Sequence, residues 1–414
     1  LIPRLDYYKE RFHISSDSAI KPGLTAIQEA LELVGHPEKN LPVIHLAGTN
    51  GKGSTLTMIE RIAQSHELKT ASFMSPCMKD VHDQIKLNGE PIAPDELAAI
   101  FSIMRDADLD GKCTDFELLT VAAFLAFQRF QADIVLIECG MGGRYDSTNV
   151  VMPIVSVVPS IALEHTNFLG DTLASIAGHK AGIIKQGRPI ITGDLPEDAM
   201  AVFIEEAKQC EAPLFVYGKD FSVEGEEKSE TYIAPNFRIN NLDRSMPGMH
   251  QRSNMALAIT AFLQVAQHLH IQVHPEAIQN GISHAELAGR FEKISSKLYI
   301  DGAHNPASAR TLVDTIKEQF RGQKIHFIVG MLRDKDVKGV LRILEEVGTG
   351  FTFVDVDNER AMPAENLYNL SSSHVKEVSK KNIRHIIEGK NDEIVIITGS
   401  LYLLASWREE QLNG

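Results

Sequence analysis

The sequence predicts an α/β protein in two parts: a P-loop domain on a largely parallel sheet with a small antiparallel excursion, then a smaller Rossmann-like α/β domain at the C-terminal end. Three observations predict it. From about residue 25, short β-branched runs alternate with longer helical patterns. The octapeptide Ala47-Gly48-Thr49-Asn50-Gly51-Lys52-Gly53-Ser54 stands between such a run and a helix, and a second strand series fills about 295–400. The polar stretch Ser283 to Gly289 is the expected divide, giving domains 1–286 and 290–414.

Taken in order, LPVIHLAG (41–48), TASFMS (70–75), ADIVLIECG (132–140), PIVSVVPSIAL (153–163) and RPIITG (188–193) read as buried parallel strands bounded by Gly, Pro or polar residues. STLTMIERIAQSHE (54–67) puts Leu56, Ile59 and Ile62 on one helical face, and DFELLTVAAFLAFQRF (115–130) is apolar nearly all round, the pattern of a buried helix. Residues 213–245 turn polar and strand-like with turn residues at short intervals, which predicts the antiparallel excursion. A helical pair is expected over 249–283. SSKLYIDGAHN (295–305), KIHFIVG (324–330), GFTFVDVD (350–357) and DEIVIITGS (392–400) supply the strands of the second domain.

Composition narrows the classes of function. With 414 residues, 43% hydrophobic and 23% charged, the chain is long and apolar enough for a folded core and is not of the disordered or collagen-like kind. A formal charge of −14 opposes non-specific attraction to nucleic acid or to an anionic membrane. Cys77, Cys113, Cys139 and Cys210 lie far apart without a CxxC pair, so reduced thiols in a cytoplasmic protein are expected rather than zinc or disulfides. No signal peptide and no run of eighteen apolar residues is read, so no membrane partner is expected.

The octapeptide carries the strongest chemistry. Glycines let backbone N–H groups turn onto phosphate oxygens, the following helix adds about half a positive charge at its N-terminus, and Lys52 adds a full one. Ser54 is the hydroxyl placed to touch Mg²⁺. The spacing departs from the common P-loop pattern, since two residues separate Gly48 from Gly51 and a glycine intervenes between Lys52 and Ser54. Ligands of open parallel sheets sit beyond the carboxyl ends of the strands. There the chain offers Ser75-Pro76, Glu138-Cys139-Gly140 and Glu164-His165, a hydroxyl, a carboxylate and an imidazole. A strand-end Ser alone is usually a turn former and a lone His a satisfied surface group; beside a phosphate loop they form a candidate Mg²⁺ set.

Other passages are less specific. Gly140-Met141-Gly142-Gly143-Arg144-Tyr145-Asp146 is a second strand-to-loop passage able to approach a ligand. Residues 171–182 read as a helix capped by Asp171 with Gly178 and Gly182 on one face; each glycine costs about 1 kcal/mol relative to Ala, so a close approach should compensate. Lys180 lies between them, and a solvated cation is its plain reading. In the second domain Asp301-Gly302-Ala303-His304-Asn305-Pro306 puts an acid and a His just past a strand, with an Asx turn as the bland alternative. Gly289-Arg290 offers a bidentate cation for phosphate.

Together these pieces resemble the folylpolyglutamate synthase and dihydrofolate synthase family of the Mur ligase superfamily. The likeness covers nearly the whole chain and rests on AGTNGKGS (47–54), SP followed by IKLNGEPI (75–92), FELLT (116–120), ECGMGGRYDSTNV (138–150), LEHTNFLGDTLASIAGHKAGIIK (163–185), HQRSN (250–254), GR (289–290) and DGAHNP (301–306). The resemblance implies an ATPase domain and a glutamate-ligase domain, with ATP held by Thr49, Asn50, Gly51, Lys52, Gly53, Ser54, Gln251, Asn254, Arg290, Asp301 and His304. It implies Lys52, Lys180 and His304 as catalytic residues, and Mg²⁺ held by Ser54, Ser75, Glu138, His165 and a carbamylated Lys180. Thr114, Phe116 and Asp146 match positions lining the pterin pocket.

The implied reaction joins L-glutamate to folates, and to dihydropteroate, through an acyl phosphate in a monomeric enzyme. Three departures stand out: Met74-Ser75-Pro76-Cys77-Met78 where the family has TSPHL, Asp83-Gln84-Ile85 where it has Glu-Arg-Ile, and Glu164 where Asp precedes the His. The first two bear on the choice of acceptor. The rival readings are a nucleotide-binding module without ligase activity and a peptidoglycan-type Mur ligase, for whose extra N-terminal domain the roughly 40 residues before the loop are too few.

Overall fold

The computed structural model describes Ile2, residues 4–17, 23–390 and 392–413, with side chains up to Arg408. The chain divides into two compact units, Leu1–Ser245 with Arg252–Glu286, and Met246–Gln251 with Leu287–Gly414.

The first unit begins with α1 (Leu5–Phe12) and α2 (Thr25–Leu33), then β1 (Val43–Leu46), α3 (Lys52–Ser65) and β2 (Thr70–Phe73). A hairpin of β3 (Ile85–Leu87) and β4 (Glu90–Pro91) precedes α4 (Pro94–Asp106) and α5 (Asp115–Phe130). Next come β5 (Ile134–Glu138), β6 (Val155–Val158), the one-turn α6 (Thr166–Leu169), α7 (Leu173–Ala181), β7 (Ile190–Thr192), α8 (Glu197–Gln209) and β8 (Leu214–Val216). Their sheet runs β4-β3-β2-β5-β1-β6-β7-β8, parallel from β2 to β8 and antiparallel at the β3 and β4 edge. The apolar runs read from sequence are thus buried on both faces, as βα crossovers require. Three strands, β9 (Ser222–Glu226), β10 (Ser229–Ala234) and β11 (Phe237–Leu242), form a separate antiparallel sheet, so the excursion expected over 213–245 starts later than expected, its first residues Leu214–Val216 being β8 of the parallel sheet.

Helix α5 lies buried along almost its whole length, with α1, α2 and α4 packed outside it in one core cluster. Its N-terminus is a capping box: the Thr114 hydroxyl accepts from the Glu117 amide at 3.4 Å, and the Glu117 carboxylate accepts from the Thr114 amide at 2.8 Å. Helix α10 (Pro275–Ser283) packs by α3, and the long α9 (Met249–Leu269) reaches its C-terminal end, where the Phe262 ring lies 4.5 Å from that of His66 between ring centres. Gly281 lets α10 close on α3, since a Cβ there would lie 2.6 Å from the Ile62 Cα.

The second unit carries β12 (Glu292–Lys293), β13 (Leu298–Asp301), α11 (Pro306–Gln319), β14 (Ile325–Val329), α12 (Val337–Leu344), β15 (Gly350–Phe353), α13 (Ala364–Leu370), β16 (Lys376–Val378), α14 (Ile383–Glu388), β17 (Ile394–Thr398) and α15 (Leu401–Asn413). The sheet order is β12-β13-β17-β14-β15-β16, parallel except at β12. Its core stacks Phe327 on Phe351 at 5.4 Å between ring centres and Phe351 beside Phe353. This is the Rossmann-like α/β unit the second strand series predicts.

Two local expectations are corrected. The helix near 171 is capped by Thr172, not Asp171: the helix begins at Leu173, which puts Thr172 with its extended backbone in the cap position, and its hydroxyl accepts from the Ser175 amide at 3.1 Å. The run 153–163 is a strand only over Val155–Val158, because Pro159 and Ser160 leave the ladder to brace the phosphate loop.

Candidate active site

The octapeptide leaves the carboxyl end of β1, central in the larger sheet, and Gly51 caps α3 so that Lys52, Gly53 and Ser54 form its first turn. Two backbone demands explain the glycines. Gly51 sits at φ 86°, and a Cβ there would lie 2.6 Å from Asn254 Oδ1; Gly48, at φ 148°, presses against Pro159 and Ser160. The loop is clamped from the β6 side: the Asn50 amide donates to Ser160 Oγ at 3.0 Å, Ser160 Oγ donates to the Asn50 carbonyl at 2.9 Å, and the Thr49 amide donates to the Ser160 carbonyl at 2.9 Å. The Thr49 hydroxyl is spent on Ala162, accepting from its amide at 3.0 Å and donating to its carbonyl at 3.2 Å. Ser160 was not foreseen in the sequence reading, where it lay inside an expected strand.

Lys52, Glu138 and Lys180 converge on this loop. Glu138 ends β5 and is the register partner of Leu46, which places its buried carboxylate 3.6 Å from Lys52 Nζ. Lys52 Nζ donates to the Gly48 carbonyl at 3.1 Å, and Lys180 Nζ donates to that same carbonyl at 2.8 Å. Lys180 is not the solvated cation of the plain reading, since only 5% of it is exposed. Burial first, and then the Lys52 charge, push its amine down to about 7.

The glycine-rich loop after β5 explains how α7 holds Lys180 there. A Cβ on Gly143 would lie 2.7 Å from the His179 carbonyl, and one on Gly182 only 2.3 Å from Arg144 Cβ. The Arg144 amide donates to the His179 carbonyl at 2.6 Å. The close approach expected of Gly178 is not found: a Cβ there would meet nothing within 4 Å, and the compensating contact is made at Gly182 and Gly143.

Ser75 follows β2, whose last residue Phe73 pairs with Ile137, one position before Glu138. His165 is exposed, at φ 51°, where it starts the one-turn α6. Among the described residues no group of three or more His, Cys, Asp or Glu is arranged to hold a metal ion. Ser54 in the first turn of α3, Ser75 just past β2 and Glu138 at the end of β5 all stand at the carboxyl-end side of the sheet, and their oxygens are of the hard kind that Mg²⁺ prefers.

Just past Glu138 in the chain, Gly140 lies against the start of α5. The Phe116 ring rests where a Gly140 Cβ would be, 2.6 Å away, and packs on Phe73 at 5.7 Å between ring centres. The buried Asp146 carboxylate accepts from the Met141 amide at 2.8 Å, the Thr148 amide at 3.0 Å and the Thr148 hydroxyl at 2.6 Å. Burial pushes its carboxyl up, against the hydrogen bonds that lower it. Behind it, Thr148 Oγ1 lies 2.9 Å from Nε2 of the fully buried His45, whose imidazole burial holds neutral at about 3. Nothing in the sequence spacing signalled this His45–Thr148–Asp146 chain.

Gln251 and Asn254 are both buried and share one face of α9, with Asn254 against Gly51. In the second unit Arg290, Asp301 and His304 come together. The Arg290 guanidinium lies 3.1 Å from where a Gly302 Cβ would be, the Asp301 carboxylate accepts from the Phe291 and Ala303 amides at 2.8 Å, and His304 Nδ1 lies 2.8 Å from the Gly302 carbonyl.

A phosphate loop with a lysine–glutamate pair and a buried second lysine, followed by a Rossmann-like unit, defines an ATP-dependent ligase of the Mur type. Residues 46–262 match the Mur ligase middle domain and residues 289–401 the Mur ligase glutamate ligase domain. The chain is 35% identical to the dihydrofolate synthase/folylpolyglutamate synthase of Bacillus subtilis, over 94% of this chain and 95% of that protein. It is 33% identical to the folylpolyglutamate synthase of Lacticaseibacillus casei, over 93% of each. Among solved structures, Escherichia coli FolC in complex with DHPP and ADP superposes with a TM-score of 0.90 at 27% identity, covering 99% of this chain and 98% of that one. The chain belongs to the folylpolyglutamate synthase/dihydrofolate synthase family.

Proposed function

We propose that this enzyme adds L-glutamate by an amide bond to reduced folates and to dihydropteroate, using ATP, with the roles read from sequence carried by the residues described above. The single observation that carries the reading is the meeting of Lys52 and Lys180 on the Gly48 carbonyl beside Glu138, at the mouth of a helix N-terminus.

A carboxylate is a poor acyl donor, so the acceptor's carboxylate oxygen attacks the γ-phosphorus and ADP leaves. The resulting acyl phosphate is attacked at carbon by the amine of glutamate; phosphate departs and the amine proton passes to solvent or base. In this scheme the loop amides from Thr49 to Ser54 cradle the phosphates and Lys52 neutralises the charge developing on the transferred group. Gln251 and Asn254 orient the base of ATP, and Arg290, Asp301 and His304 are further nucleotide contacts. Ser54, Ser75, Glu138 and His165 are the proposed Mg²⁺ ligands, and Mg²⁺ when bound supplies charge neutralisation at the phosphates.

Lys180 is proposed to work as a carbamate. Its amine, held at about 7, is about half neutral at pH 7; the neutral nitrogen adds to carbon dioxide, a proton is released, and the lysine becomes a carboxylate-like anion able to join the Mg²⁺ set. Phe116 supplies a flat apolar wall for the pterin ring, with Thr114 and Asp146 as its polar neighbours. Residues 1–286 and 290–414 are proposed as the two working domains.

The test is phosphate release from Mg-ATP with L-glutamate, run in parallel with dihydropteroate and with a reduced folate, with product masses recorded. Turnover with both acceptors is expected. Turnover with reduced folate alone restricts the enzyme to polyglutamate extension and assigns the Met74–Met78 and Asp83–Ile85 departures to lost pteroate binding. Release independent of either acceptor overturns the ligase reading.

A further inference from the structure

The N-terminal segment makes contacts that the reaction scheme does not use. Tyr8, on the inner face of α1, is fully buried, and its hydroxyl lies 2.7 Å from His82 Nε2 and 3.3 Å from the Pro94 carbonyl. His82 Nδ1 lies 2.7 Å from Asp80 Oδ1, which also accepts the His82 amide at 3.0 Å, and Arg4 reaches the other Asp80 oxygen at 3.3 Å. The His82 ring is thus hydrogen-bonded on both sides, by the Asp80 carboxylate at Nδ1 and by the Tyr8 hydroxyl at Nε2, while that hydroxyl also donates to the Pro94 carbonyl. This chain of three buried polar groups joins α1 to residues 76–84, the loop that starts beside Ser75 and returns to the sheet as β3. Asp83 ties the same loop internally by accepting the Met78 and Lys79 amides.

One residue on, Lys9 holds the start of α5. Its ammonium donates to Asp115 Oδ1 at 2.9 Å and to Ser16 Oγ at 3.1 Å. Asp115 is the first residue of α5, between Thr114 and Phe116. Just past α1 the Ser15 amide and hydroxyl donate to Asp110, the Gly111 amide donates to the Ser15 carbonyl, and the Asp17 amide donates to the Cys113 carbonyl. Residues 4–17 thus grip the Ser75 loop at one end and the approach to Thr114 and Phe116 at the other.

We propose that α1 is a brace for the acceptor pocket, with Tyr8 and Lys9 as positioning residues that set the spacing between the 76–84 loop and the start of α5 and so control folate affinity. This rests on the folate reading of Thr114 and Phe116 given above. Neither residue touches the phosphate loop in the contacts described, so the brace acts on the acceptor and not on ATP.

The experiment compares the parent enzyme with Tyr8→Phe and Lys9→Met, each checked for folding by circular dichroism, with Lys9→Arg as the conservative variant. Lys112→Met, which removes an exposed pair with Asp108, is the control. The expected result is a KM for reduced folate raised at least about fivefold in Tyr8→Phe and Lys9→Met, with KM for ATP and kcat within about twofold of the parent, and recovery in Lys9→Arg. An unchanged folate KM in both folded variants, or folate and ATP constants rising together, overturns the brace. Hydrogen exchange separates its failure from that of the functional reading. If the parent shows no folate-dependent turnover, faster exchange of 76–84 and 113–117 in Tyr8→Phe supports the brace, and unchanged exchange overturns it.

Discussion

Replacing Lys180 by Met removes a buried amine whose ordinary value of 10.5 is pulled down to about 7, first by burial and then by the Lys52 charge. At about pH 7.5 an ordinary lysine is neutral about one part in a thousand, whereas an amine titrating near 7 is neutral about three parts in four, so the fold raises the carbon-dioxide-reactive form by nearly three orders of magnitude. That depression is worth about 5 kcal/mol of folding free energy, offset in part by the hydrogen bond to the Gly48 carbonyl, worth about 1 kcal/mol. Because the unfolded chain binds the proton between about 7 and 10.5 and the native chain does not, stability of the parent rises with pH across that window. Below about 7 both states are protonated and the penalty is constant.

Lys180→Met should therefore hold or raise the urea midpoint at pH 7 and flatten that rise, while losing about a hundredfold or more of ligase turnover. Phosphate release with glutamate and folate gives the activity, urea titrations at several pH values give the stability, and intact mass of the bicarbonate-treated parent gives a gain of about 44 Da if the carbamate forms. Full activity in a folded Lys180→Met enzyme refutes the reasoning, as does an unaltered pH slope.

Lys52→Ala should lower turnover by about a thousandfold with folding retained, measured by the same phosphate assay. Gly143→Ala forces a Cβ against the His179 and Lys180 carbonyls, at 2.7 and 2.9 Å, and should cost about 1–3 kcal/mol in a urea titration together with most of the activity, because α7 must shift. Glu230→Gln removes the buried carboxylate that Arg244, 1% exposed, reaches at 2.9 Å and Arg252 at 2.8 Å, leaving Arg244 the longer pair with Glu227 at 3.7 Å, and should cost about 3–5 kcal/mol by the same titration. Cys139 is buried and burial drives its thiol well above the ordinary range, so a thiol reagent should reach it only on unfolding, read by mass after timed labelling.

The parallel sheet was legible because its strands are apolar on both faces, and the phosphate loop because glycine, lysine and a strand–helix junction are adjacent in the chain. Lys180 was misread on its own terms, since nothing local to an alanine- and glycine-rich helix says that Gly143 and Gly182 let it sink beneath the Gly48 carbonyl. Chains of polar groups were invisible for a related reason. Tyr8 and His82 are 74 positions apart, and His45 and Thr148 are 103 apart, so only the closed fold makes them partners. The Asp171 cap failed on a smaller scale, where two neighbouring capping residues compete and backbone geometry chooses.

His45 stands on the strand that launches the phosphate loop, yet its ring ends a hydrogen-bonded chain whose far member, Asp146, lines the proposed pterin wall. A graft of the 140–150 segment from a relative with another acceptor preference would bring in a new Asp146 and Thr148 environment while leaving the old imidazole behind. Transplants of acceptor choice within this family should therefore move position 45 as a passenger of that segment, and those that leave it should yield folded but misaligned chimeras.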